Sequence, residues 1–108
     1  MIRLIVVVEG ETERVFVTDV LEPHLRDYGL AVTATVVGKR GGGPWSAWKK
    51  DLQRILRGDK GADRRVTTMF DLYGLPKRFP GLGEHRNVAN TSRRCELLEQ
   101  SLAADIAD

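Results

Sequence analysis

The chain opens on an unbroken apolar run, Leu4-Ile5-Val6-Val7-Val8, that stops abruptly at Glu9-Gly10-Glu11-Thr12-Glu13. Aliphatic residues without polar alternation predict a strand buried on both faces, as in parallel sheets covered by helices on each side. In such sheets ligand chemistry gathers at the carboxyl ends of the strands, where the chain turns into the next helix. Glu9 falls at that end. A carboxylate is costly to bury there without compensation, and a divalent cation is the usual compensator. Glu11 and Glu13 have a plainer explanation as well, because the helix dipole favours negative charge in a first turn.

With 108 residues the chain has room for one domain and one modest core. Its composition, 42% hydrophobic and 30% charged, is that of a globular protein and excludes a disordered or fibrous one. The apolar run is far shorter than the ~20 residues that cross a membrane and too short for a signal-peptide core, so neither membrane association nor export is expected. Cys95 is the single cysteine, which rules out an internal disulfide and makes a reducing cytoplasm the expected compartment.

Charge is unevenly spread. Residues 38–65 carry nine basic side chains and three acidic ones, whereas residues 1–37 carry three and six. The middle third is therefore a candidate polyanion surface, with Lys39, Arg40, Lys49, Lys50, Arg54 and Arg57 gathered on a glycine-rich turn and the helix after it. A plain solvated face is the competing explanation of such a run.

Apolar residues recur with a helical period over 13–28 (Phe16, Val17, Val20, Leu21, Leu25, Tyr28), with Gly29 as the stop and Pro23 predicting a kink or break near Leu21 or Glu22. Residues 31–37 read as a second strand and 38–44 as a glycine-rich loop. Residues 45–57 read as an amphipathic helix with Trp45, Trp48, Leu52, Ile55 and Leu56 inward and Gly58 as its end. At this spacing the tryptophans belong to a core. A third strand at 66–70 leads into Asp71 and a loop with two prolines, and a last helix is expected over 88–106 with Val88, Cys95, Leu98, Leu102 and Ile106 on one face. The order βαβαβα predicts a three-layer α/β fold with a small parallel sheet, in which Glu9 and Asp71 leave adjacent carboxyl ends, close enough that they can share one metal.

Val8-Glu9-Gly10-Glu11-Thr12-Glu13 and Met69-Phe70-Asp71-Leu72-Tyr73-Gly74-Leu75-Pro76, with the glycine-rich loop and tryptophan helix between them, resemble the Toprim domain. That α/β fold is shared by topoisomerases, bacterial primases and nucleases of the overcoming-lysogenization-defect family. The resemblance runs along nearly the whole chain and is closest to a bacterial Toprim-like group of unknown function. In the first motif a glutamate ends a strand and a glycine follows; the second stands where Toprim domains carry Asp-x-Asp. Here Tyr73 replaces the second aspartate, and a phenol is a poor magnesium ligand beside a carboxylate. Relatives of this group continue past the last helix with further strands, so residues 1–108 are expected to be the amino-terminal portion of a longer family domain.

The resemblance implies Mg2+- or Mn2+-dependent phosphodiester processing on DNA or RNA. Glu9 and Asp71 would be the catalytic and metal-binding acids, with Glu11 and Glu13 as secondary ligands, and a separate ATPase is an implied partner protein. The alternative is a non-catalytic Toprim-like module that binds nucleic acid or protein. Three apolar strands leave sheet edges unpaired, so a homo-oligomer is also expected.

Overall fold

The computed structural model describes residues 1–38, 42–58 and 61–107. Their order is β1 (Ile2–Val8), α1 (Glu11–Phe16), a π-helical turn (Val17–Leu21), α2 (Glu22–Arg26), β2 (Leu30–Val36), α3 (Trp45–Arg57), β3 (Arg64–Met69), a 3₁₀ turn (Leu72–Gly74) and α4 (Thr91–Ile106). The strands form one parallel sheet in the order β2-β1-β3. The three-layer α/β arrangement expected from the βαβαβα order is the one the chain adopts. Among the described residues no helix is long and apolar enough to cross a membrane.

Because β1 is the central strand, both of its faces are covered, and this is why its sequence runs apolar without alternation. Val7 faces α3 and α4 in a core with Trp48, Leu52, Phe79, Leu98 and Leu102. Val6 and Val8 face the opposite layer, where Val17, Leu21 and Leu25 pack against them and Val32. The register sets Val8 beside both Val36 and Met69, so the carboxyl ends of all three strands finish level.

Of the kink or break expected near Leu21 or Glu22, the chain shows a helical irregularity there and no break. The helix continues from Glu11 to Arg26, and its irregularity is a π turn closed by the Glu22 N–H on the Val17 carbonyl, just ahead of Pro23 at the start of α2. A proline has no N–H to donate back, so a widened turn before it keeps the helix going. Of the apolar positions expected to face inward, Val17, Leu21 and Leu25 do; Phe16, Val20 and Tyr28 are exposed. The last helix also begins later than expected. Asn90 caps it, its side-chain oxygen accepting the Arg93 N–H at 2.9 Å, which leaves Val88 outside the helix.

Trp45 and Trp48 are core residues, 8% and 1% exposed. Trp48 lies 5.0 Å from Phe70, Phe70 lies 6.3 Å from Phe79, and Phe79 meets Trp45 edge-on at 5.1 Å. These four rings bind α3 to the connection that leaves β3, and thereby fix where Asp71 sits.

At the opposite edge, the guanidinium of Arg3 forks onto Asp63 at 2.8 and 2.9 Å, and the Arg3 N–H donates to the Asp63 carbonyl at 2.8 Å. The Arg3 hydrogen bonds hold the Asp63 carboxyl down at about 2. A carboxyl with a depressed folded-state pKa stabilises the fold above its ordinary range and loses that effect as the pH falls through about 2. Asp63→Asn should therefore melt slightly below wild type at neutral pH, with the gap closing in acid. Because the pair is exposed, the gap will be small. Thermal melts at a series of pH values check this; a gap that persists unchanged at the acid end would show that the Arg3 ion pair is not its source.

Candidate functional site

The chain leaves β1 towards the layer that holds Val17 and Leu21, but leaves β3 towards the other layer, where Leu72, Leu75 and Phe79 pack. Two neighbouring strands whose exits diverge to opposite faces open a crevice at their carboxyl ends, which is the topological switch point of an open α/β sheet. Glu9 and Asp71 occupy the two exits.

They are in direct contact. The Asp71 backbone N–H donates to Glu9 Oε1 at 2.9 Å. Asp71 in turn accepts the Tyr73 N–H on Oδ1 at 3.0 Å, and the Gly74 N–H closes onto the Asp71 carbonyl at 3.0 Å, winding residues 72–74 into the 3₁₀ turn. This turn brings Gly74 against the second oxygen of Glu9. A Cβ at Gly74 would stand 3.2 Å from Glu9 Oε2, so the glycine keeps that oxygen uncrowded. Gly10 does the same for Glu13, whose Oε2 would lie 3.2 Å from an added Cβ. Neither glycine is marked in the sequence as more than a turn residue; the close approach that requires Gly74 is made by a side chain from another strand.

Burial is the main reason the Glu9 carboxyl is raised above its ordinary value; the Asp71 N–H opposes it, and the charges of Glu13 and Asp71 add to it. Glu9 thus lies within the field of both Glu13 and Asp71. Glu11 does not join them. Its carboxylate is exposed and forked by the Arg14 guanidinium one helical turn on, with Nε at 2.9 Å, and that hydrogen bond holds it below its usual range. The Glu11–Arg14 pair is local to α1, three residues apart, whereas the nearness of Glu13 to Glu9 depends on how α1 sits against the sheet. Tyr73 is 85% exposed.

Among the described residues, no three histidine, cysteine or acidic side chains are grouped closely enough to cage a metal ion. Magnesium seldom needs such a cage. It keeps much of its water and is commonly held through one or two carboxylates together with substrate phosphates. The oxygen kept open beside Gly74 and the mutual repulsion at Glu9 fit a cation held in that way.

The basic residues expected to face a polyanion are divided by the tertiary structure. Lys49 is paired with Asp105 at 3.0 Å across α3 and α4, and Arg54 with Asp51 at 2.9 Å along α3. Asp51 also accepts the Gly38 N–H at 2.7 Å and so anchors the exit of β2. Lys50 and Arg57 are exposed. Lys39 and Arg40 lie outside the described residues.

The family model described as "Domain of unknown function (DUF4276)" matches residues 8–108, nearly the entire chain. Comparison with curated proteins and with solved structures returns no match.

Proposed function

The chain belongs to the DUF4276 family, and we propose that it is a Toprim-type, magnesium- or manganese-dependent domain that processes phosphodiester bonds in DNA or RNA. The observation that carries this reading is the meeting of Glu9 and Asp71 at the switch point, joined by the Asp71 N–H and relieved by Gly74. Glu9 and Asp71 are the residues that would hold the ion, with Glu13 beside them. When bound, the ion polarises the scissile phosphate and stabilises charge on the leaving oxygen. The Asp71 N–H fixes one oxygen of Glu9 and leaves the other to act. Burial and like charge move the Glu9 proton equilibrium towards neutrality, which suits a group that also takes or gives a proton during the reaction.

A second reading, a non-catalytic module that binds nucleic acid, is favoured by Tyr73. Its outward ring leaves the β3 exit with one acid where Asp-x-Asp would supply two. Titrating Mg2+ and Mn2+ into labelled DNA and RNA separates the readings. The catalytic one expects cleavage that saturates with metal and stops on chelation. Binding with no cleavage at any metal concentration assigns the chain to the binding module.

A further inference from the structure

The loop entering α3 and the connection leaving β3 face each other across an open cleft of about 720 Å3, walled by Pro44, Trp45 and Ser46 on one side and Pro76, Lys77 and Arg78 on the other. This is within the range of pockets that take small ligands, roughly 300 to 1,000 Å3. Both walls are held rigidly. The Phe79 N–H donates to the Pro76 carbonyl at 2.9 Å, which makes Lys77 and Arg78 the central residues of a tight turn, and buried Phe79 pins that turn to Trp45.

Several cations among the described residues are already engaged. Arg3, Arg14, Arg26, Lys49, Arg54 and Arg93 pair with carboxylates, and Arg64 and Arg65 donate to backbone carbonyls. Lys77 and Arg78 are exposed, and neither has an ion pair or hydrogen bond to its side chain among the described residues. Two adjacent unneutralised cations beside an apolar floor of prolines and an indole edge suit a ligand that alternates anionic and flat apolar groups. A single nucleic-acid strand is such a ligand, because its phosphates meet cations while its unstacked bases lie on apolar surfaces. A duplex keeps its bases stacked inside and would leave the floor bare.

We propose that this cleft binds one nucleotide unit of a single strand, its phosphate on Lys77 and Arg78 and its base against Pro44, Trp45 and Pro76. Lys77 and Arg78 lie on the same β3-to-α4 connection as Asp71. The inference rests on the nucleic-acid reading above and narrows its substrate to single strands or unpaired ends.

The test is anisotropy of a short fluorescein-labelled oligothymidylate in the presence of EDTA, so that cleavage plays no part. Replacing both residues, Lys77→Ala with Arg78→Ala, should weaken binding about tenfold or more and reduce the salt slope by about 0.7, the share of one single-strand phosphate contact. Replacing Arg86 and Arg93, which lie outside the cleft, by alanine should change neither. Wild type should bind the oligothymidylate more tightly than a blunt duplex of equal length. Circular dichroism melts establish that each variant is folded. Unchanged affinity and slope in the cleft variant, an equal loss in the Arg86 and Arg93 variant, or equal affinity for the duplex would each overturn the proposal. A strand bound through Lys77 and Arg78 but never cut with Mg2+ sinks the catalytic reading and keeps this one. Metal-dependent cutting with binding unaltered in the cleft variant does the reverse.

Discussion

Glu9→Gln is expected to lower metal-dependent cleavage by roughly a hundredfold to ten-thousandfold, the usual worth of a positioned acid or base, while raising the melting temperature at neutral pH. Glutamine keeps the shape of the side chain and an oxygen that accepts the Asp71 N–H, so the turn over residues 72–74 has no reason to open. What it removes is a negative charge that burial, Glu13 and Asp71 all oppose. A carboxyl raised in the folded state binds its proton more tightly there than in the unfolded chain. Its stabilising effect is therefore complete below the unfolded value and fades as the pH rises through the folded one. At neutral pH the ionised wild type carries that loss and the glutamine variant does not, and the difference should disappear in acid. Mg2+ should raise the melting temperature of wild type, since an ion that binds only the folded state stabilises it, and should do little for the variant. In wild type, cleavage should climb with pH as Glu9 ionises. Melts with and without Mg2+ beside a cleavage assay test each part. A variant that cuts like wild type removes Glu9 from the reaction, and one that melts below wild type makes its charge a structural contact.

Trp48→Ala should cost about 3 to 5 kcal/mol of stability, the usual cost of emptying a buried aromatic site. Small domains are held by only about 5 to 15 kcal/mol in total. Trp48 is 1% exposed, lies 5.0 Å from Phe70, and its indole N–H donates to the Gly42 carbonyl at 3.3 Å. The side chain thus supports α3, Gly42 and the residue that leads into Asp71. Urea unfolding should show the midpoint falling by roughly a fifth of the wild-type value or more, up to loss of the cooperative transition. Trp48→Phe, which keeps a ring against Phe70, should recover part of the loss. A cost below about 1 kcal/mol would mean that the core closes over the gap, contrary to the close packing expected of protein interiors.

Several features of this molecule are properties of the linear chain. The unalternating run ending at Val8 is enough to demand cover on both faces, and with helix-length segments between strands it commits the sheet to parallel pairing. Parallel pairing brings the exits of all three strands to one edge, so Glu9 and Asp71, 62 positions apart, share that edge, and the strand order β2-β1-β3 then makes them neighbours. The inward tryptophans of α3 follow from helical spacing in the same way. These are matters of period and chain direction, and both are written locally.

Other features were decided only by packing. The π turn ahead of Pro23 set which of Phe16, Val17 and Val20 reach the sheet. The seating of α1 on the sheet left Glu13 within the field of Glu9. The angle between α3 and α4 neutralised Lys49 with Asp105, so the charge count of the middle third overstated its open cationic face. Lys77 and Arg78, unremarkable between two prolines, gained a cleft because Phe79 docks on Trp45. Composition and periodicity encode how much charge or apolar surface a segment carries. Whether a given charge stays free depends on Coulomb and hydrogen-bond contacts that act over a few ångströms, and only the assembled layers set those distances.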